Sequence, residues 1–315
     1  MNREDAETLL LAAGSAADGD FPLLDAAIAC AIHEDPTRDP QAARDLGAAA
    51  IERLSHRLKG ESAEEALAEA MAGDLRLGGD LLSYDDPCNA DILAVTDRRK
   101  GLAVALGIFY LHAARKCGLT VQGVDFPGHF LLRIETDEGP LALDPFSEGR
   151  VVLPSELTRR ALHAGLTPNV ADRLDRLMAP VSDRAVLVRL QNTIYARASN
   201  ARDFARAERA ALRRALLDPS DHRPWLDVAA AREGQGNRER LIHFEPPGGA
   251  FSFQLELADR ARERTVGRKR RQRLGVDHHF LRGLFHGDAV THGHLAAHHR
   301  VEHVGLRRHQ RHFKF

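Results

Sequence analysis

The run Leu102–Ala114, reading LAVALGIFYLHAA, constrains this chain more than any other segment. It is apolar on every side, so as a helix it has no face for water and must lie buried inside a larger fold. Arg115 and Lys116 would fall in its last turn, where cations meet the negative end of the helix dipole, and Gly118 suits the left-handed stop. Ahead of it stand the charged tract Asp97-Arg98-Arg99-Lys100 and then Gly101. Behind it come Val121–Val124, a short strand candidate, and the turn Asp125–Gly128. His129–Glu135 (HFLLRIE) and Leu141–Phe146 (LALDPF) then flank Thr136-Asp137-Glu138-Gly139 and read as an antiparallel hairpin. A buried helix beside a hairpin is an α+β core.

The flanks are simpler. Residues 1–79 read as helices: Leu46, Ala49, Ala50 and Leu54 recur at helical spacing. Ser62 followed by Glu65 predicts a capping box ahead of Met71. Cys30, within the apolar run Ala26–Ile32, reads as core filler. Turn chemistry fills Gly79–Ser83 and Asp85-Asp86-Pro87. After Gly149 the pattern returns to helices up to about Asn237. The length of 315 residues leaves room for about two domains. The three cysteines, Cys30, Cys88 and Cys117, show neither a CxxC spacing nor an even-numbered framework, which fits a reducing compartment. The start, MNREDAETLLLAAG, lacks the basic flank and long apolar stretch of a signal peptide. No window reaches the roughly 18 apolar residues of a membrane span. The expectation is a soluble cytoplasmic protein with no cofactor and no membrane partner.

The chemistry rests on His129 and Asp144. If Glu135 pairs with Pro140, Leu131 falls opposite Asp144 and His129 opposite Phe146. His129 and Asp144 then share one sheet face within side-chain reach. The alternative is that His129 caps a strand and Asp144 a turn before Pro145. A papain- or transglutaminase-like site would add a cysteine at the N-terminus of a buried helix, where the dipole and a histidine stabilise its thiolate. Here that helix begins Leu102, Ala103, Val104, Ala105, and none can attack a carbonyl. Cys117 sits at the wrong end of the helix. Cys88, in the loop sequence DPCN, is the one remaining candidate nucleophile; otherwise it is an incidental loop residue.

Tyr84-Asp85-Asp86-Pro87-Cys88-Asn89, Asp97-Arg98-Arg99-Lys100-Gly101, Phe126-Pro127-Gly128-His129-Phe130-Leu131 and Asp144-Pro145-Phe146, taken in that order, resemble the SirB-type bacterial family. The likeness spans about residues 10–237 and is concentrated in 80–150. It implies a transglutaminase-like domain followed by tetratricopeptide repeats, in a family whose members are mostly uncharacterised and some of which are regulators. Active transglutaminase-like proteins carry their cysteine close to the start of the buried helix, a position that falls on Ala103; the SirB-type family generally has none there. Its common Gly-Ile-Pro-Ile-Ser-Leu block reads Gly101-Leu102-Ala103-Val104-Ala105-Leu106 here, without the serine. Asn89 keeps its family position, and Ala90 replaces the usual serine.

A tetratricopeptide repeat would place Ala207, Ala211 and Pro219 in a second helix and Trp225, Val228 and Ala229 in the next first helix. Without the family context these are a generic helical hairpin. Fewer than three repeats are rarely stable alone, so this part should pack on the first domain. The expected architecture is an α+β, papain-like core with N-terminal helices over 1–150, a helical connector over 151–180, tetratricopeptide-like helices over 181–237, and a His/Arg-rich tail over 238–315. The formal charge of −1 hides an asymmetry, because residues 240–315 carry 13 Arg and 2 Lys against 7 acids. The tail also holds 11 of the 17 histidines. Three readings compete for it: a shifted reading frame, a basic disordered tail, or a metal site at His278-His279, His292-Gly293-His294 and His298-His299. Nucleic acid is disfavoured because aromatic residues are not interleaved with Arg260–Arg273. The functional expectation is a non-catalytic module that binds a protein or peptide through the helical repeats. The alternative is a cysteine-dependent hydrolase or acyl transferase using Cys88 with His129 and Asp144.

Overall fold

The computed structural model describes residues 1–236 and the backbone of two short strands further on. Five helical segments open the chain: α1 (Arg3–Ser15), α2 (Leu23–Glu34), α3 (Gln41–Arg57), α4 (Ala63–Ala68), which runs on into a π-helical turn at Glu69–Asp74, and α5 (Ile92–Arg98). Between α4 and α5 lie β1 (Gly78–Gly79) and a 3-10 turn at Pro87–Ala90. Asn2 and Asp5 close a capping box on α1. Ser62 stands at the N-cap of α4 as expected, yet its side chain makes no cap hydrogen bond, so the predicted box with Glu65 does not form. Asp91 caps α5 by accepting from the N–H groups of Leu93 and Ala94.

After α5 come β2 (Lys100–Gly101), which pairs in parallel with β1, and α6 (Ala103–Lys116). Burial bears out the apolar run, since all but His112 of Ala103–Ala114 is buried. The helix ends as its sequence requires: Gly118 has φ 79° and the Leu119 N–H reaches back to the Ala114 carbonyl. Next come β3 (Val121–Val124), β4 (Leu131–Thr136), β5 (Gly139–Asp144), a 3-10 turn at Pro145–Ser147, and β6 (Arg150–Val152). The α7 (Pro154–His163), α8 (Pro168–Ala171) and α9 (Leu174–Leu177) helices lead to β7 (Pro180–Val181). The helices α10 (Asp183–Asn200), α11 (Phe204–Leu217) and α12 (Arg223–Gly234) follow, then β8 (Ile242–Phe244) and β9 (Phe253–Leu255), which pair antiparallel with each other. The readings offered for the tail otherwise lie outside the described residues.

The central sheet has the order β6-β5-β4-β3-β7 and its pairings are antiparallel. Glu135 pairs with Pro140, the register read from the hairpin, and the strands run one residue further into the turn, to Thr136 and Gly139. Helices cover both faces. Leu132, Ile134 and Leu143 point into the large core with α6, while Leu131, Ala142 and Val152 face a second cluster with Leu157 and Ala161 of α7 and Met178. Residues 151–180 are therefore not all helical. They hold most of β6 and the first residue of β7, strands of three and two residues, too short to show a period-two pattern. Val186, Leu187 and Leu190 of α10 and Leu216 and Leu217 of α11 belong to the same core as α1, α2 and α6.

Candidate functional site

His129 and Asp144 meet. His129 stands in the turn before β4 rather than in the strand; its backbone N–H donates to the Phe126 carbonyl at 3.0 Å. The flanking Phe126 and Phe130 are buried, and the histidine side chain between them is 22% exposed. Phe130 is seated between two glycines. A Cβ at Gly107 of α6 would lie 2.5 Å from the Phe130 ring, and one at Gly123 of β3 would lie 3.2 Å from it. The ring thus joins helix to sheet one residue away from His129.

Asp144 ends β5 and caps the turn after it. One carboxylate oxygen accepts from His129 Nε2 at 2.8 Å and from the Phe146 N–H at 3.0 Å. The other accepts from Arg160 Nη1 at 2.9 Å and from Ser147 Oγ at 3.0 Å. Burial alone would raise the carboxyl pKa, but the His129 hydrogen bond and the Arg160 guanidinium outweigh it and hold the group at about 2. An ionised Asp144 accepts only, so Nε2 carries the proton of this hydrogen bond. Within the described residues no hydrogen bond reaches Nδ1.

The ring faces an aromatic row. Phe146 meets His129 edge-on at 6.2 Å between centroids and Tyr84 at 5.7 Å. Phe146 also lies over Gly79, where a Cβ would come within 2.6 Å of three ring atoms. The Pro145–Ser147 turn packs on β1 and α6, bringing the His–Asp pair to the side of α6. Leu102, Ala103, Val104 and Ala105, the start of that helix, are all buried, and Leu102 offers no side-chain cap. The Leu102 N–H instead donates to the Asn89 carbonyl at 2.8 Å. Asn89 is itself buried, donating through Nδ2 to the Ser83 carbonyl and accepting from Arg98. This residue braces the loop against the helix start.

Cys88 is not brought into the pair. It lies exposed on the Pro87–Ala90 turn and makes no hydrogen bond with His129. Desolvation and then a hydrogen bond to Asp86 raise its thiol pKa, and the charges acting on it are Asp86, Arg98 and Asp91. An activated thiol requires the opposite shift. Cys30 is buried in α2 with its thiol pushed up to about 12 by burial. Cys117 caps the far end of α6, 3.2 Å from Ser55 Oγ.

Arg160, Ser147 and Tyr110 escaped the sequence reading. Arg160 sits one turn from Glu156 on α7 and donates to it, but its other partner, Asp144, is 16 residues away with β6 between them. Nothing in local periodicity links them. Tyr110 of α6 is wholly buried, its hydroxyl has no partner, and burial followed by the charges of Asp144 and Glu148 raises its pKa. Among the described residues no group of three His, Cys, Asp or Glu side chains could hold a metal ion. No helix among them is long and apolar enough to cross a membrane.

Residues 41–192 match the family model of the transglutaminase-like superfamily, so the chain carries a transglutaminase-like domain. A UPF0162 protein of Xylella fastidiosa strain Temecula1 is 33% identical over 161 residues, 51% of this chain and 57% of its own. The chain thus spans little more than half the length of that relative. A UPF0162 protein of Vibrio cholerae is 41% identical over 75 residues, 24% of this chain and 27% of its own. F-box only protein 21 of Mus musculus is 32% identical over 69 residues, 22% of this chain and 11% of its own. No solved structure matches the chain.

Proposed function

We propose that this chain is a non-catalytic, SirB-type transglutaminase-like protein that acts as a protein-binding or regulatory module, with α10–α12 as tetratricopeptide-like helices that hold a peptide of its partner. The observation that carries the reading is a His129–Asp144 pair kept in hydrogen-bonded order in a domain whose buried helix opens on only Leu102, Ala103, Val104 and Ala105. A His–Asp pair without a nucleophile can orient and accept a hydrogen bond, but it cannot form an acyl intermediate. Support for the helical part comes from Trp225, Val228 and Ala229 of α12 packing on Ala211 and Ala215 of α11, the small-residue crossing that repeats use. The three free cysteines are in keeping with a cytoplasmic setting.

The rival is a cysteine-dependent hydrolase or acyl transferase using Cys88 with His129 and Asp144. Its thiol is shifted toward the protonated form and couples to Asp86 rather than to His129, which favours the non-catalytic reading. Labelling by an iodoacetamide probe separates the two. The module reading expects Cys88 to react no faster than an ordinary exposed thiol and His129→Ala to leave that rate unchanged. Labelling about 100-fold faster than a free thiol, lost in both Cys88→Ala and His129→Ala, would sink it.

A further inference from the structure

The loop between β1 and the Pro87–Ala90 turn puts two leucines in water. Leu81 is 83% exposed and Leu82 98%, more than any other large apolar side chain among the described residues, and Tyr84 is 49% exposed. Single apolar residues on a surface are ordinary, but two neighbours this far out with an aromatic ring beside them form a patch. The patch continues inward, since Tyr84 meets Phe146 edge-on and Phe146 lies over Gly79.

The residues on either side of the leucines are pinned, which keeps the pair from folding back. Asp80 is 8% exposed; one of its oxygens accepts from the Ser83 N–H at 3.0 Å and the other from Arg98 Nη2 at 2.8 Å. Asn89 Nδ2 donates to the Ser83 carbonyl at 2.6 Å. Arg197 of α10 donates to the Tyr84 carbonyl at 3.2 Å, and its guanidinium lies 5.4 Å from the centre of the Tyr84 ring. An apolar pair held in water is a standing free-energy cost that a partner relieves by covering it, and a pinned loop spares that partner the entropy of ordering it.

The charge around the patch selects the partner. From Leu77 to Thr96 the chain holds four acids, Asp80, Asp85, Asp86 and Asp91, and no Lys or Arg. The cations that answer the loop reach in from α5 and α10, and the Arg98 and Arg197 side chains are only 33% and 24% exposed. The Asp85 side chain is 92% exposed and that of Asp86 35%. Lys100 and Glu148 stand together over Gly78, one of each sign. The outermost charge beside the leucines is therefore negative.

We infer that Leu81, Leu82 and Tyr84 form a docking surface for a basic amphipathic segment of a partner protein. The apolar face of that segment covers the two leucines, and its Lys or Arg side chains reach Asp85 and Asp86. None of the three docking residues belongs to α10–α12, so the surface stands or falls independently of peptide binding there.

The test uses the full chain and its Leu81→Ser/Leu82→Ser double variant. Each is titrated calorimetrically with a synthetic Leu/Lys helix of about 18 residues, leucines on one face, and with its Leu/Glu counterpart. Neither leucine belongs to a core cluster, so the double variant should melt with the parent. The expected result is saturable binding of the Leu/Lys helix to the parent, at least about tenfold weaker in the double variant and about tenfold weaker for the Leu/Glu helix. Asp85→Asn should weaken it about threefold at low salt and leave it unchanged at high salt. No binding of the Leu/Lys helix overturns the proposal, as does equal binding by the double variant or by the Leu/Glu helix. Two further outcomes also overturn it. Sedimentation that finds the parent self-associating and the double variant not assigns the patch to a second copy of the chain. Binding to phosphatidylcholine–phosphatidylserine vesicles that the double variant loses assigns it to a lipid surface.

Discussion

At the scale of single residues, Asp144 and His33 set the acid behaviour of the fold. The Asp144 carboxyl, held at about 2 against an ordinary 3.8, contributes roughly 2 kcal/mol that is present above the unfolded pKa and lost as pH falls through the folded one. His33 acts earlier. It is 1% exposed, accepts at Nδ1 from Arg213 at 3.4 Å and donates through Nε2 to Glu7 at 3.0 Å. Burial, then Arg213 and Arg3, depress its pKa to about 3, and the opposing charge of Glu34 does not reverse that. The unfolded chain takes up this proton near pH 6.5 while the folded one does not, so the contribution is complete above that pH and fades as pH falls toward 3. Denaturant titrations between pH 7 and 4 should show a falling midpoint, and His33→Gln should flatten the slope. Tyr110→Phe removes a buried hydroxyl that has no partner, so thermal melts should find the variant unchanged or more stable by up to about 1 kcal/mol. The His129–Asp144 contact was legible because one turn sets the register of a hairpin. Arg160 was not legible, because it reaches Asp144 from an element that no periodicity ties to the hairpin.

At the scale of elements, the junction of α6 with the sheet depends on the slot made by Gly107 and Gly123 around Phe130. Gly107→Ala would set a methyl 2.5 Å from the ring, and the overpacking should cost about 1–3 kcal/mol in a denaturation midpoint. A retained midpoint would show that the ring can turn aside. The helix itself could be read from its unbroken apolar run and the Gly118 stop. The β6 and β7 strands could not: β7 is a Pro-Val pair, and what makes it a strand is Val124 and Gly123 of β3 lying beside it. The π-helical turn after α4 was likewise hidden, since its six residues, EAMAGD, read as the continuation of an ordinary helix.

At the scale of the whole molecule, α10 and α11 are part of the main core rather than an appendage, and burial against α1, α2 and α6 keeps them folded. Arg213→Ala leaves Glu34 with Arg209 on its other oxygen but strips the buried Gln191 oxygen of its donor, and should cost about 1–3 kcal/mol, measured as a lowered melting transition. Packing of this kind lies between segments some 180 residues apart, as Arg213 and His33 are, and composition carries no trace of it. The Arg184 guanidinium adds a further tie. It donates to the carbonyls of Gly14 and Ala16 at the end of α1 and to that of Leu217 at the end of α11, beside a Gly14 so close to Leu216 that a Cβ would overlap its carbonyl. Two helices that finish on the same cation cannot fray separately, since loosening either end strips the other of its donor. Hydrogen exchange should therefore find the last-turn amides of α1 and α11 opening as one cooperative unit, and Arg184→Ala should release both together. The first helix of the chain is in this sense a latch on one of its last.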